Sequence, residues 1–176
     1  MMEVILVNTD DEAIGVMDKM QAHITGALHR AFSVFVFNNS GEVLLHQRAL
    51  NKYHSSGLWT NTCCSHPAPD ENTHVAANRR LMEEMGLKCD LTELFSFTYR
   101  ADVGNDLIEH EYDHVFYGES DVEPTPDPDE VMNWKWIDRD TLHESLIQHS
   151  ELYTVWFQIA WPKVCEQLLN YSGGDQ

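Results

Sequence analysis

Two carboxylates, Glu109 and Glu111, stand two residues apart in the stretch LIEHEYDHVFY. A segment of this kind reads as a strand, so both side chains leave the same face. Side by side they repel each other unless a cation lies between them. His23, His29 and His66 could complete an octahedral set around such a cation, three imidazoles with two carboxylates. Mixed nitrogen and oxygen donors suit Mn2+, Mg2+ or Zn2+ and do not choose among them. Each histidine alone is more often a surface or core residue than a ligand. The glutamate pair is what turns the three towards a metal. His110, on the opposite face of the predicted strand, reads as structural.

Adjacent thiols, Cys63 and Cys64, precede a helix-like segment that carries Arg79, Arg80, Glu83 and Glu84. With Cys89 and Cys165 they are the only cysteines, and their spacing matches no zinc ribbon. They read as free thiols of a reducing, cytoplasmic compartment, with one of them reactive.

These groups must be positioned by a framework that the sequence marks in part. Glu3–Asn8 reads as a short strand followed by an acidic turn. Ala31–Asn38 alternates, turns at Asn38–Gly41 and returns over Glu42–Gln47, a hairpin. Residues 49–71 form a long polar and aromatic loop, a length that usually signals function. A helix over Thr73–Met85 follows, with Asp70, Asn72 or Thr73 as cap and Gly86 as stop. Strands are expected at Leu91–Ala101, Leu107–Tyr117 and Val131–Ile137. Helices are expected over 140–149 and 151–169, with Pro162 kinking the second or marking a boundary in it. The acidic, proline-rich stretch 119–130 reads as a mobile surface segment, and the tail SGGDQ as loose. This order of elements predicts an α/β (α+β) fold, a mixed sheet with helices on its faces.

The chain has 176 residues, enough for one domain with a substantial core, and a formal charge of −18. Such acidity disfavours nucleic acid and anionic membranes as partners. It leaves room for a small anionic substrate where a cleft gathers metal and cationic side chains. No apolar run suits a membrane span and no secretory leader is read, so a cytoplasmic location is expected, as monomer or weak dimer.

Residues 65–87, SHPAPDENTHVAANRRLMEEMGL, resemble the Nudix box, in which a loop feeds a helix whose carboxylates hold a hard divalent cation beside a diphosphate. Glu71, Arg79, Leu81, Glu83, Glu84, Gly86 and Leu87 fall in register. Ser65 stands where the box has glycine, and Arg80 where it has its first helical glutamate, a metal ligand central to hydrolysis. A cation there disables water activation and adds a phosphate partner. The flanks narrow the resemblance. Trp59-Thr60-Asn61-Thr62-Cys63-Cys64-Ser65-His66-Pro67 is similar to a segment of the type 1 isopentenyl-diphosphate isomerases. So are Leu28-His29-Arg30-Ala31-Phe32, Tyr99-Arg100-Ala101 and Glu109-His110-Glu111. The resemblance runs from about residue 3 to residue 160.

That resemblance implies a Nudix-type mixed sheet sandwiched by helices, one domain over residues 1–176 with its core at about 3–170 and a loose tail at 171–176. It implies a divalent ion, Mn2+, Mg2+ or Zn2+, on His23, His29, His66, Glu109 and Glu111. A Mg2+ would enter with the diphosphate, held by Glu84 and the backbone of the catalytic cysteine. Lys19, Arg48, Lys52 and Arg80 would grip the diphosphate, Glu83 remaining a solvated neighbour.

The reaction it implies adds a proton to the terminal CH2 of an unactivated alkene, giving tertiary-carbocation character. A different proton then leaves the carbon nearer the diphosphate. An acid and a base must flank a flat, apolar substrate in a dry pocket. Glu111, helped by Tyr99, is expected as the forward proton donor and Cys64 as the base, with the roles swapped in reverse. Trp156, and with less support Trp59, would face the developing cation. Three rivals remain: a nucleotide pyrophosphohydrolase, which Arg80 and the Cys64, His66 and Glu111 set oppose; a non-catalytic metal or isoprenoid-binding module; and an isomerase of another prenyl diphosphate.

Overall fold

The computed structural model describes residues 2–172. At its N-terminal edge β1 (Glu3–Val7) and β2 (Ala13–Asp18) form an antiparallel hairpin. α1 (Lys19–Thr25) follows, capped by Asp18 and ended by Gly26 at φ 65°, the left-handed conformation glycine adopts without strain. Neither β2 nor α1 was expected from the sequence. Four of the six residues of β2 are exposed, so no alternation marks it, and α1 is too short for a clear period.

β3 (His29–Phe37) is the spine. Its alternation sends His29, Ala31, Ser33, Phe35 and Phe37 to one face and Phe32, Val34 and Val36 to the other. Along one side β3 pairs in turn with β1, with β6 (Cys63–Ser65) and with β4 (Val43–Arg48), all antiparallel. Along the other it pairs in parallel with β8 (Ile108–Glu119), which is hairpinned to β7 (Leu91–Asp102). β4 also carries β5 (Trp59–Thr60) and β9 (Val131–Ile137). The mixed sheet is therefore as expected, while β5 and β6 divide the segment read as one long loop.

α2 (Thr73–Met85) packs Ala76, Ala77, Leu81 and Met85 against Phe32, Val34 and Phe116. Asn72 is its cap, accepting from the backbone N–H groups of His74 and Val75. On the other face lie α3 (Arg139–Gln148), a 3-10 turn at Ser150–Leu152, and α4 (Val155–Ser172). α4 stacks Phe157 and Trp161 on Phe35, with ring centroids 6.2 Å from it in both cases. Each fully buried aromatic contributes about 1.5–3 kcal/mol, so the two helices clamp the sheet from both sides.

Of the two readings of Pro162, the boundary is excluded: α4 runs through it, and Pro162 is exposed. Only the hydrogen bond that its missing N–H would have made is forgone. The acidic stretch 119–130 is fastened to the end of α2, where Thr125 N–H donates to the Met85 carbonyl and Asp127 N–H to that of Glu84, each at 2.9 Å. Most of the tail expected at 171–176 lies outside the described residues. Among those described, no helix is long and apolar enough to cross a membrane.

Candidate active site and metal centre

Strand register assembles the site. Glu111 of β8 is paired with His29 on its β3 side and with Tyr99 on its β7 side. Tyr99 Oη donates to Glu111 Oε2 at 2.6 Å. Cys64 of β6 is paired with Ser33, whose hydroxyl donates to Asp113 on the same face of β8 as Glu109 and Glu111. Because side chains alternate along β6, Cys63 points the other way, into the core under α2, where its thiol donates to Glu84 Oε2 at 3.5 Å.

His23, His29, His66 and Glu109 offer donor atoms that all lie within 4.8 Å of one another. Glu111 Oε1 adjoins this group, 2.9 Å from His66 Nε2 and 3.7 Å from His29 Nε2. The histidines are aimed from behind. His23 Nδ1 donates to the Lys19 carbonyl at 2.6 Å and His29 Nδ1 to the Ala27 carbonyl at 2.8 Å, which leaves each Nε2 with its lone pair directed into the cluster. His23 Nε2 and Glu109 Oε2 are buried without hydrogen-bond partners, and His29 and His66 bring their Nε2 atoms to 3.2 Å. Buried polar atoms are almost always satisfied. A divalent cation satisfies all of these at once, so the residues fit one.

Charge behaves accordingly. Burial alone would raise Glu109, but His23 and His54 beside it hold it well below the usual carboxylate range. Burial and Glu109 push Glu111 up, and His29 and His66 outweigh them. Burial drives His66 down to about 4. It raises the Cys64 thiol to about 12, with Arg48 opposing, and it raises Tyr99 further than the Glu111 charge alone would.

Above the cluster opens a cleft of about 310 Å³. Cys64, Tyr99, Glu111, Glu109, His66, Glu84, Lys19, Arg48, Lys52, Arg80 and Trp156 all line it, while His23 and His29 lie fully buried beneath. The structure thus brings these residues and the two buried histidines together around one cleft. Arg48 places its guanidinium 5.2 Å from the Trp156 ring centroid. Arg80 Nη2 donates to Glu84 Oε1 at 2.5 Å, so that carboxylate is engaged on both oxygens. Glu83 is a solvated partner of Arg79 and Arg80. Glu71 and Arg79 make a bidentate pair at 2.7 and 2.8 Å that braces the loop before α2. His110 donates to the Gly26 carbonyl, as a structural residue would. Trp59 is absent from the cleft and lies instead under Lys135.

Sequence reasoning missed three participants. Glu130 joins Lys52 and approaches Arg80 at 3.5 Å. Asp113 is buried below Glu111 and raised well above its usual range by that burial and by the Glu111 charge. His54 stands 3.1 Å from Glu109 Oε1. Acidic loops and single histidines carry no spacing signal, so nothing in the sequence points to them.

The NUDIX domain model matches residues 27–157. An isopentenyl-diphosphate Delta-isomerase of Burkholderia multivorans is 54% identical, the match covering 87% of each chain. One of Pectobacterium atrosepticum is 49% identical over 92% of this chain and 90% of its own. Among solved structures, DR0079 of Deinococcus radiodurans superposes with a TM-score of 0.70 over 84% of this chain and 90% of that one, at 18% identity. The MutT protein of Methanosarcina mazei does so with 0.65 over 80% and 94%, at 17%. At such identities the last two speak for the fold alone.

Proposed function

This chain belongs to the NUDIX family and, within it, to the isopentenyl-diphosphate Delta-isomerases, and from that membership we propose that it interconverts isopentenyl and dimethylallyl diphosphate. The observation that carries the reading is the Tyr99–Glu111 hydrogen bond, set in the same cleft as Cys64 and beneath four cationic side chains.

Lys19, Arg48, Lys52 and Arg80 hold the diphosphate, the guanidinium groups by paired N–H donors and the lysines as point charges. Trp156 walls the cleft, excluding water and offering an aromatic face to positive charge. In the forward direction the Tyr99–Glu111 pair, carrying the proton that Cys64 has given up, delivers it to the terminal CH2, and the Cys64 thiolate takes one from the carbon nearer the diphosphate, on the opposite side. The reverse reaction exchanges the roles. His23, His29, His66, Glu109 and Glu111 would hold one divalent ion, Mn2+, Mg2+ or Zn2+, and Glu84 would hold a Mg2+ arriving with the diphosphate. When bound, these ions supply the positive charge that offsets the buried carboxylates and lets the Cys64 sulfur give up its proton. The donor set favours no single metal. The enzyme is read as cytoplasmic.

The test is an assay of purified protein on isopentenyl diphosphate with Mg2+, with and without Mn2+ or Zn2+, beside Cys64→Ala and Glu111→Gln. Metal-dependent dimethylallyl diphosphate without phosphate release, lost in both variants, is the expected outcome. Phosphate release would instead identify a hydrolase.

A further inference from the structure

His54 belongs to the segment between β4 and β5, and its side chain is 3% exposed. Its Nε2 lies 3.1 Å from Glu109 Oε1 and its Nδ1 3.2 Å from the Ser55 hydroxyl. The hydroxyl can donate to Nδ1 while the ring donates from Nε2, so one neutral tautomer satisfies both contacts. His23 Nε2 also approaches Glu109 Oε1, at 2.9 Å, but the proton of neutral His23 is on Nδ1, facing the Lys19 carbonyl. His54 is then the imidazole able to donate to Oε1. Its ring is fixed edge-on to Trp156 at 5.8 Å and to Tyr53 at 4.6 Å. Its carbonyl accepts from Arg48 Nη2 at 3.2 Å.

His54 is not one of the four residues whose donor atoms lie within 4.8 Å of one another. What it does is occupy one oxygen of the carboxylate they share. The other oxygen, Oε2, is buried without a partner and stands 3.8 Å from His29 Nε2. We propose that His54 is a positioning residue of the metal centre: its Nε2–H holds Glu109 by Oε1 so that Oε2 is presented to the divalent ion. Hydrogen bonds to ligating groups from outside the coordination set orient those ligands, and losing one typically costs about 10–100-fold in metal affinity. The contacts to Arg48 and Trp156 also tie this orienting residue to the groups expected to meet substrate. The inference rests on the metal centre proposed above.

The experiment is a titration of the metal-free protein with Mn2+, read by the loss of the free-ion electron paramagnetic resonance signal. His54→Phe keeps an aromatic ring against Trp156 without the donor, and His54→Gln keeps an N–H donor near the Nε2 position. Expected are an affinity about 10–100-fold weaker in His54→Phe, substantial recovery in His54→Gln, and an unchanged number of sites. His54→Ala should match the phenylalanine variant, and the Phe and Gln pair decides the question if the alanine variant does not fold. Unchanged affinity in His54→Phe overturns the inference and leaves the metal centre standing. Loss of a whole site in both the Phe and Gln variants overturns it by making His54 a ligand. No Mn2+ binding by the parent chain overturns the metal centre and this inference together.

Discussion

Neighbouring thiols separate by strand geometry into two different chemistries. Cys64 lines the cleft, whereas Cys63 is fully buried and donates to Glu84. Cys64→Ala should lower kcat about 10³–10⁴-fold, the upper part of the 10²–10⁴ share of a single acid–base group. Cys63→Ala should keep turnover within about tenfold while lowering stability by about 1–2 kcal/mol, as a buried carboxylate loses a donor. Steady-state kinetics and urea denaturation separate the two. His46 makes a further residue-level prediction. It is buried in the wall of the cleft, its Nδ1 donates to the Thr62 carbonyl at 3.0 Å, and burial lowers it to about 4 from 6.5. Between those values the unfolded chain binds a proton that the folded chain refuses. The stability is complete above pH 6.5 and is lost as pH falls towards 4, by up to about 3 kcal/mol. Urea midpoints of the metal-free protein should drop steeply from pH 7 to pH 5, and His46→Gln should flatten that drop, leaving the part due to His66.

At the scale of elements, α2 shows how the box was adapted. Arg80 is the partner of Glu84, whose side chain is 5% exposed, so removing the cation leaves a buried carboxylate unpaired. Arg80→Leu should cost about 2–3 kcal/mol, and Arg80→Leu with Glu84→Leu should recover most of it, while both lose activity. A double-mutant cycle from thermal melts measures that coupling. At the C-terminal end, Gly86 sits at φ 64°, and a Cβ there would come within 2.7 Å of the Thr125 carbonyl oxygen. The helix stop was legible in the sequence because glycine is the residue for that conformation. That it also seats the acidic stretch was not, since the stretch has no apolar pattern of its own. The box helix and the strand carrying Glu109 and Glu111 were readable because burial writes a period into them, and β3, β4 and β7 because they are long apolar or aromatic runs bounded by turns. β2, α1, β5 and β6 are short or exposed and write none. The parallel pairing that sets His29 opposite Glu111 joins segments far apart in the chain; donor chemistry and the resemblance to a family put those two residues in one site, and local pattern did not.

For the molecule as a whole, the formal charge of −18 and the buried carboxylates of the cleft pull apart what bulk salt and bound metal do. Carboxylates crowd the surface and repel one another across distances that salt screens. Raising NaCl from low to molar concentration at pH 7.5 should therefore raise Tm even with a chelator present. Divalent ions act differently, because Glu109 and Glu111 are both buried and share one cluster with His23, His29 and His66. An ion bound only by the folded state adds about 2.7 kcal/mol at a hundred times its Kd, or roughly 5–10 °C for a chain of this size. Mn2+ added at constant ionic strength should give that gain on top of the salt effect. Glu109→Gln removes one of the paired charges and the anionic oxygen facing His29, so its Tm should still rise with NaCl but respond little to Mn2+. If the variant kept the full Mn2+ gain, the stabilising ion would have to bind elsewhere on the acidic surface, and the buried cluster would not be the metal centre.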